Sequence, residues 1–178
     1  MVLAPYALGL LGRDPYVAVL AVAVGTLLAV DLVRLRHPAT NAFFTRFLRR
    51  LLLPRDLTGL NGTTYFVGGI LAAVTLFPKA IALAAALFLV LGDVAAGLVG
   101  TAWGRMRLGP GGKSLEGSLA CFVVCLATAI PLVGWVPAVG GALVATLVEH
   151  AELPLDDNLL IPPLSGAVLY WFSAWVQP

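Results

Sequence analysis

Charge is what this 178-residue sequence has least of: only 11% of its residues are Asp, Glu, Lys or Arg. A soluble globular domain carries roughly twice that fraction, so such a domain is excluded. Disorder, which needs high charge and low hydrophobicity, is excluded with it. Cysteine is nearly absent, and Cys121 and Cys125 are too few for a disulfide framework. Spaced i,i+4 on one helix, they are poorly placed to bridge each other, and they read as small residues facing lipid or core. The two histidines, His37 and His150, have no zinc-like partner set and read as interfacial. Met1 to Leu11 lacks a basic n-region, so a cleaved signal peptide is not expected. No nucleic-acid motif is present, and the basic residues track a membrane face rather than a groove.

What remains is apolar. Hydrophobic residues make up 60% of the chain, and its mean hydropathy is +0.97. A transmembrane helix takes about 20 apolar residues, so five or six spans consume most of the chain. We expect an all-α polytopic membrane protein forming a single integral membrane catalytic domain over residues 1–178. Any chemistry then falls on short loops and helix ends.

Apolar runs place spans at about Pro15–Leu35, Thr63–Phe77, Lys79–Trp103, Ser114–Val133, Val136–Glu149 and Asn158–Val176. The second and fifth are short enough to be tilted or partly re-entrant. Between the first two, Arg46, Arg49 and Arg50 interleave with Phe43, Phe44, Phe47, Leu48 and Leu51. Residues 38–53 therefore read as an amphipathic helix lying in the interface, its arginines toward anionic headgroups. Trp103, Trp135, Trp171 and Trp175 read as membrane-belt aromatics.

Alternating spans sort the 11 basic residues sharply. Arg34, Arg36, Arg46, Arg49, Arg50, Arg55, Arg105, Arg107 and Lys113 fall on one side, and only Arg13 and Lys79 on the other. The positive-inside rule makes the first side cytoplasmic. All the acids except Asp14 gather there too.

Five features on that side bear on chemistry. Asp93 sits within the third span, where an acid costs on the order of 2.5–3.5 kcal/mol; it faces a wet cavity, a metal or a partner, or is merely protonated against a neighbouring helix. Gly92, Ala96, Gly100 and Gly104 form an i+4 stripe beside it that lets another backbone approach, within the chain or in a homodimer. The segment GRMRLGPGGKSLE, residues 104–116, is glycine-rich, bears Arg105, Arg107 and Lys113, and leads into a helix that Ser114 is placed to cap. It is not a Walker A loop, since the first required glycine would fall at Arg107 and a membrane helix precedes it. Glu116, just inside the next helix, either joins Asp93 in holding Mg²⁺ or complements the helix dipole. Finally, EHAELPLDDN places Asp156, Asp157 and Asn158 at a helix start, ahead of Pro162 and Pro163. The proline pair breaks the sixth span near that oxygen cluster, and broken membrane helices line cavities.

Together LGDVAAGLVGTAWGRMR, GGKSLEGSL and LPLDDNLLIP resemble the CTP-dependent membrane lipid kinases, the family of dolichol kinase, phytol kinase and fungal-type diacylglycerol kinase. The resemblance runs from about Asp31, in DLVRLRHP, to Pro163. It implies transfer of the CTP γ-phosphate, with Mg²⁺, to the hydroxyl of a membrane lipid alcohol at the cytoplasmic face. By position it implies catalytic roles for Asp93, Glu116 and Asp157. It implies nucleotide or phosphate contacts for Arg105, Arg107, Lys113, Ser114, Gly117 and Asn158, and metal contacts for Asp93, Glu116 and Asp156. A basic–His motif of the RKxxH kind, often found in an N-terminal segment of relatives, has no counterpart here. Two other readings share some of these residues. Phosphatidate cytidylyltransferases have similar GD and KxxEG elements, but their PGHGG motif is replaced here by LPLDDNLLIPPLSG. A small ion-coupled transporter could use Asp93 as its ion site, although no inverted repeat is evident.

Overall fold

The computed structural model describes residue 9 and residues 12–48, 58–108, 112–151 and 153–176. Helix α1 spans Arg13–Arg36, and α2, Pro38–Leu48, follows after one extended residue. Then come α3, Gly62–Leu76, and α4, Lys79–Leu87. A π-helical turn, Phe88–Asp93, joins α4 without a break to α5, Val94–Trp103. Strands β1, Arg107–Leu108, and β2, Lys113–Ser114, form an antiparallel pair. Helices α6, Leu115–Val133, α7, Trp135–His150, and α8, Asp157–Val176, complete the chain. The fold is all-α and of the membrane type. Arg13–Arg36, Lys79–Trp103, Leu115–Val133 and Asp157–Val176 are long and apolar enough to cross a bilayer. The shorter α3 and α7, of 15 and 16 residues, pack among them.

Local chemistry sets the boundaries. Asn61 caps α3, its side-chain oxygen accepting from the Thr63 N–H at 2.8 Å. Pro78 opens α4, and Gly134, at φ +82°, separates α6 from α7 in a conformation that suits glycine. The core is built from small side chains: Ala73, Ala82, Ala85, Ala142 and Ala145 are fully buried, interleaved with Ile70, Phe88, Leu89, Ile161 and Leu169. Alanine-rich faces let the helices approach closely, which matters in lipid, where helix association depends on packing. The larger apolar side chains point outward, Val22, Leu98, Leu119 and Leu147 among them, as do all four tryptophans. That outer surface suits acyl chains and an aromatic belt.

Two expectations need refinement. The sixth span is not broken: α8 runs continuously through Pro162 and Pro163. Each proline leaves the carbonyl four residues earlier without its helical partner, here those of Asn158 and Leu159. Gly69 of α3 lies so close to the Asn158 carbonyl that any side chain would collide with it, so α3 packs directly against this turn of α8. The small-residue stripe seals a seam within the chain. A Cβ on Gly104 would come within 2.7 Å of Ser114, and one on Gly100 within 3.0 Å of the Ser114 hydroxyl. Of the interfacial helix, α2 is described to Leu48; Arg49, Arg50 and Leu51 lie outside the described residues, as does Arg55. In α2, Phe43 is exposed, while Phe44 lies under the Arg34 guanidinium at 5.2 Å.

The helix ends segregate the charges. At one end Arg13 bonds the carbonyls of Val74 and Thr75. At the other lie Arg34, Arg107, Lys113, Glu149 and Asp157, of which the last four line the hollow described next.

Candidate active site

A hollow of about 600 Å³ opens at this charged end, within the usual range of ligand clefts. Its wall along Lys79–Trp103 is Asp93, Ala96, Gly97, Gly100 and Thr101. These fall at i, i+3, i+4, i+7 and i+8, one face of an α-helix. The π-helical turn, which ends at Asp93, accommodates an extra residue and sets the rotation at which Asp93 joins that face. Behind Asp93, Gly92 touches the core: a Cβ there would run into Cys125, which is buried beside Cys121.

The glycine-rich segment closes on itself as a hairpin, pairing Arg107 with Ser114 and Leu108 with Lys113. Its tip, residues 109–111, lies outside the described residues. Pairing carries Lys113 over the hollow. Its ammonium lies 3.0 Å from an Asp157 carboxylate oxygen and 3.3 Å from one of Glu149, and it also donates to the Glu149 carbonyl. Burial acts to lower the lysine pKa. Hydrogen bonds and charge attraction from Asp157 and Glu149 outweigh it and hold the group above the ordinary lysine value. Arg107 lines the same hollow and donates to the Gly112 carbonyl at 2.7 Å. Ser114 caps α6, its hydroxyl oxygen accepting from the Gly117 N–H at 3.1 Å. Ser118, one residue further, meets Nδ1 of His150 at 2.9 Å and ties α6 to α7 beside the hollow.

Of the residues singled out in the sequence, Asp93, Arg107, Lys113, Ser114, Gly117, Asp157 and Asn158 line one cavity. Glu116, Arg105 and Asp156 do not line it. The Glu116 carboxylate turns back and accepts from the Met106 N–H at 3.2 and 3.3 Å, holding the hairpin to the start of α6. Asp156 accepts from the backbone N–H of Asn158 at 3.0 Å and from its amide at 2.7 Å, closing the turn into α8. The trio Asp93, Glu116 and Asp156 is therefore not gathered, and among the described residues no three carboxylate, histidine or cysteine side chains form a ready metal cage.

Glu149 was not singled out as a site residue. It ends the apolar helix α7, is 6% exposed and has one carboxylate oxygen, Oε2, buried without a hydrogen-bond partner among the described residues. Its only signal in the sequence is an acid on the last turn of a membrane span. Hard oxygen donors suit Mg²⁺, which takes one or two protein carboxylates and fills its remaining positions with water and phosphate. The orphaned Glu149 oxygen, with Asp157 and Asp93 on the same hollow, fits such an ion.

The fold and this hollow define an integral membrane protein with cationic and carboxylate side chains gathered at one end of a helical bundle. The sequence is similar to three curated proteins named CTP-dependent diacylglycerol kinase 1. Similarity to the one from Eremothecium gossypii is 30% identity over 179 residues, 84% of this chain and 56% of that protein. The Schizosaccharomyces pombe protein is 28% identical over 161 residues, 79% of this chain and 73% of its own length. The Saccharomyces cerevisiae protein is 28% identical over 168 residues, 79% and 58%. The chain thus spans little more than half the length of two of these relatives. No protein-family model and no solved structure matches it. The three relatives support the CTP-dependent lipid kinase family, to which the sequence motifs also point.

Proposed function

We propose that this chain transfers the γ-phosphate of CTP to the hydroxyl of a membrane lipid alcohol, with the hollow facing the cytoplasm. The observation that carries this reading is the meeting of Asp93, Lys113 and Asp157, from three separate motifs, on one cavity. Phosphoryl transfer asks mainly for positioning and charge neutralisation. Arg107 and Lys113 supply cations for the triphosphate, and the capped start of α6 adds backbone N–H groups. Glu149, Asp157 and Asp93 would hold Mg²⁺, which when bound neutralises charge on the β- and γ-phosphates. The relatives' names support CTP as donor and favour diacylglycerol as acceptor over a polyprenol or phytol.

The test uses purified protein in liposomes with CTP labelled at either the γ or the α phosphate and a panel of lipid alcohols. Transfer of γ label to lipid supports the kinase. Label arriving only from the α position would mean cytidylyl transfer, and ion-coupled flux with no lipid labelling would mean transport.

A further inference from the structure

A second hollow, of about 390 Å³, adjoins the first, and Lys113 and Asp157 line both. Its other described walls come from Gly59, Leu60 and Tyr65 ahead of and within α3, and from Leu153, Leu155 and Asp156 between α7 and α8. Because the two cavities share a cation and a carboxylate, the reactive ends of two ligands would meet at that pair.

Charge separates the two occupants. Among the described residues, the first hollow adds Arg107 to Lys113, whereas the second adds no further cation and brings Asp156 instead. A polyanion is repelled there, whereas an uncharged hydroxyl is not. The apolar wall suits the body of such a molecule: Leu153 and Leu155 are 43% and 52% exposed, at the end of the bundle that bears the basic residues.

The wall is also tied to the end of α1. Asp31 and Arg34, 2% and 0% exposed, pair at 3.0 Å at the end of α1. Asp31 accepts from the Asn61 N–H at 2.9 Å and the Thr64 hydroxyl at 2.7 Å, and Arg34 donates to the Gly59 carbonyl at 2.7 Å. A buried ion pair is a poor source of net stability. These bonds run to residues 59–64, the segment that walls the second hollow.

We propose that the second hollow is the acceptor cradle: it seats the hydroxyl end of an uncharged lipid alcohol against Asp157, and Asp31 and Arg34 are positioning residues that fix its wall. The inference rests on the kinase reading above. In the step it serves, the acceptor oxygen bonds to the γ-phosphorus as the bridging β–γ P–O bond breaks. The electron pair of that bond leaves with CDP, and the hydroxyl proton is released to water.

The experiment fills the cradle with Leu60→Trp, and separately with Leu153→Trp, on a loop where added bulk does not disturb the core. Three quantities are read: KM for dioctanoylglycerol, binding of labelled CTP without acceptor, and binding of labelled dioctanoylglycerol without nucleotide. We expect acceptor KM to rise about tenfold, the equivalent of about 1.4 kcal/mol, with CTP binding unchanged. Asp31→Asn should move acceptor KM in the same direction and also leave CTP binding unchanged. Gly97→Leu, on the first hollow where a side chain meets open space, should weaken CTP binding instead. Loss of CTP binding in the tryptophan variants, or an unchanged acceptor KM and acceptor binding in both, would overturn the cradle. Wild-type protein that binds dioctanoylglycerol in a Leu60-sensitive way yet transfers no phosphate would overturn the kinase reading and leave the cradle standing. Wild-type protein that neither binds nor phosphorylates it overturns the cradle.

Discussion

On the proposed reading, Asp93 and Lys113 act on opposite charges of one complex, and their substitutions should fail differently. Asp93→Asn keeps shape and hydrogen-bonding capacity but removes the negative charge. We expect turnover to fall by roughly 10²–10³-fold, the scale of losing one preorganised electrostatic contact, with unchanged elution on size exclusion. An active variant would remove Asp93 from the site. Lys113→Met strips a cation from the phosphate side and leaves the Glu149 and Asp157 carboxylates without their shared partner. It should raise KM for CTP and lower the melting temperature. The pH dependence follows from the raised pKa of Lys113. A group whose folded pKa lies above its unfolded value stabilises fully below the unfolded value, about 10.4 for lysine, and loses that contribution as pH rises through the folded one. The melting-temperature gap between wild type and Lys113→Met should therefore be constant from about pH 7 to 9.5 and narrow above that. A gap closing below pH 9 would mean the pairing is not what Lys113 contributes.

At the level of elements, the spans were legible because lipid-facing and core-facing positions are both apolar, so each crossing announces itself by length alone. Asp93, Lys113 and Asp157 were legible because ionisable residues stand out against that background. Glu149 and the Asp31–Arg34 pair were harder to assign, since their roles depend on which helix ends become neighbours, and a run of apolar residues carries no such address. The π-helical turn left no mark in the sequence either; it is a change of register with no residue signature. Its seating can be tested through Gly92, whose missing side chain admits the Cys125 sulfur. Gly92→Ala should destabilise the fold by about 1–3 kcal/mol, as overpacking does, and should reduce activity by shifting Asp93. Adding Cys125→Ala makes room and should restore much of both. Thermal melting and turnover of the single and double variants check this, and a double variant no better than Gly92→Ala alone would refute it.

Across the whole molecule, the same asymmetry that gathers the chemistry should also orient it. Arg34, Arg36, Arg105, Arg107 and Lys113 lie at the end of the bundle that holds both hollows, while Arg13 and Lys79 stand at the other. Basic residues near short loops are retained on the cytoplasmic side, so the hollows should open where cytosolic CTP is available. The two native cysteines are buried and give little background to an impermeant thiol reagent. Leu108→Cys, at the hairpin, and Val136→Cys, at the opposite end, replace side chains that are 42% and 53% exposed. In intact cells a membrane-impermeant maleimide should label Val136→Cys and spare Leu108→Cys until the membrane is permeabilised. Both variants should keep CTP-dependent turnover in detergent, which ties the labelling pattern to the folded enzyme. The reverse pattern would turn the hollows outward, away from cytosolic nucleotide, and would leave the cation-and-carboxylate end of the bundle needing a different substrate.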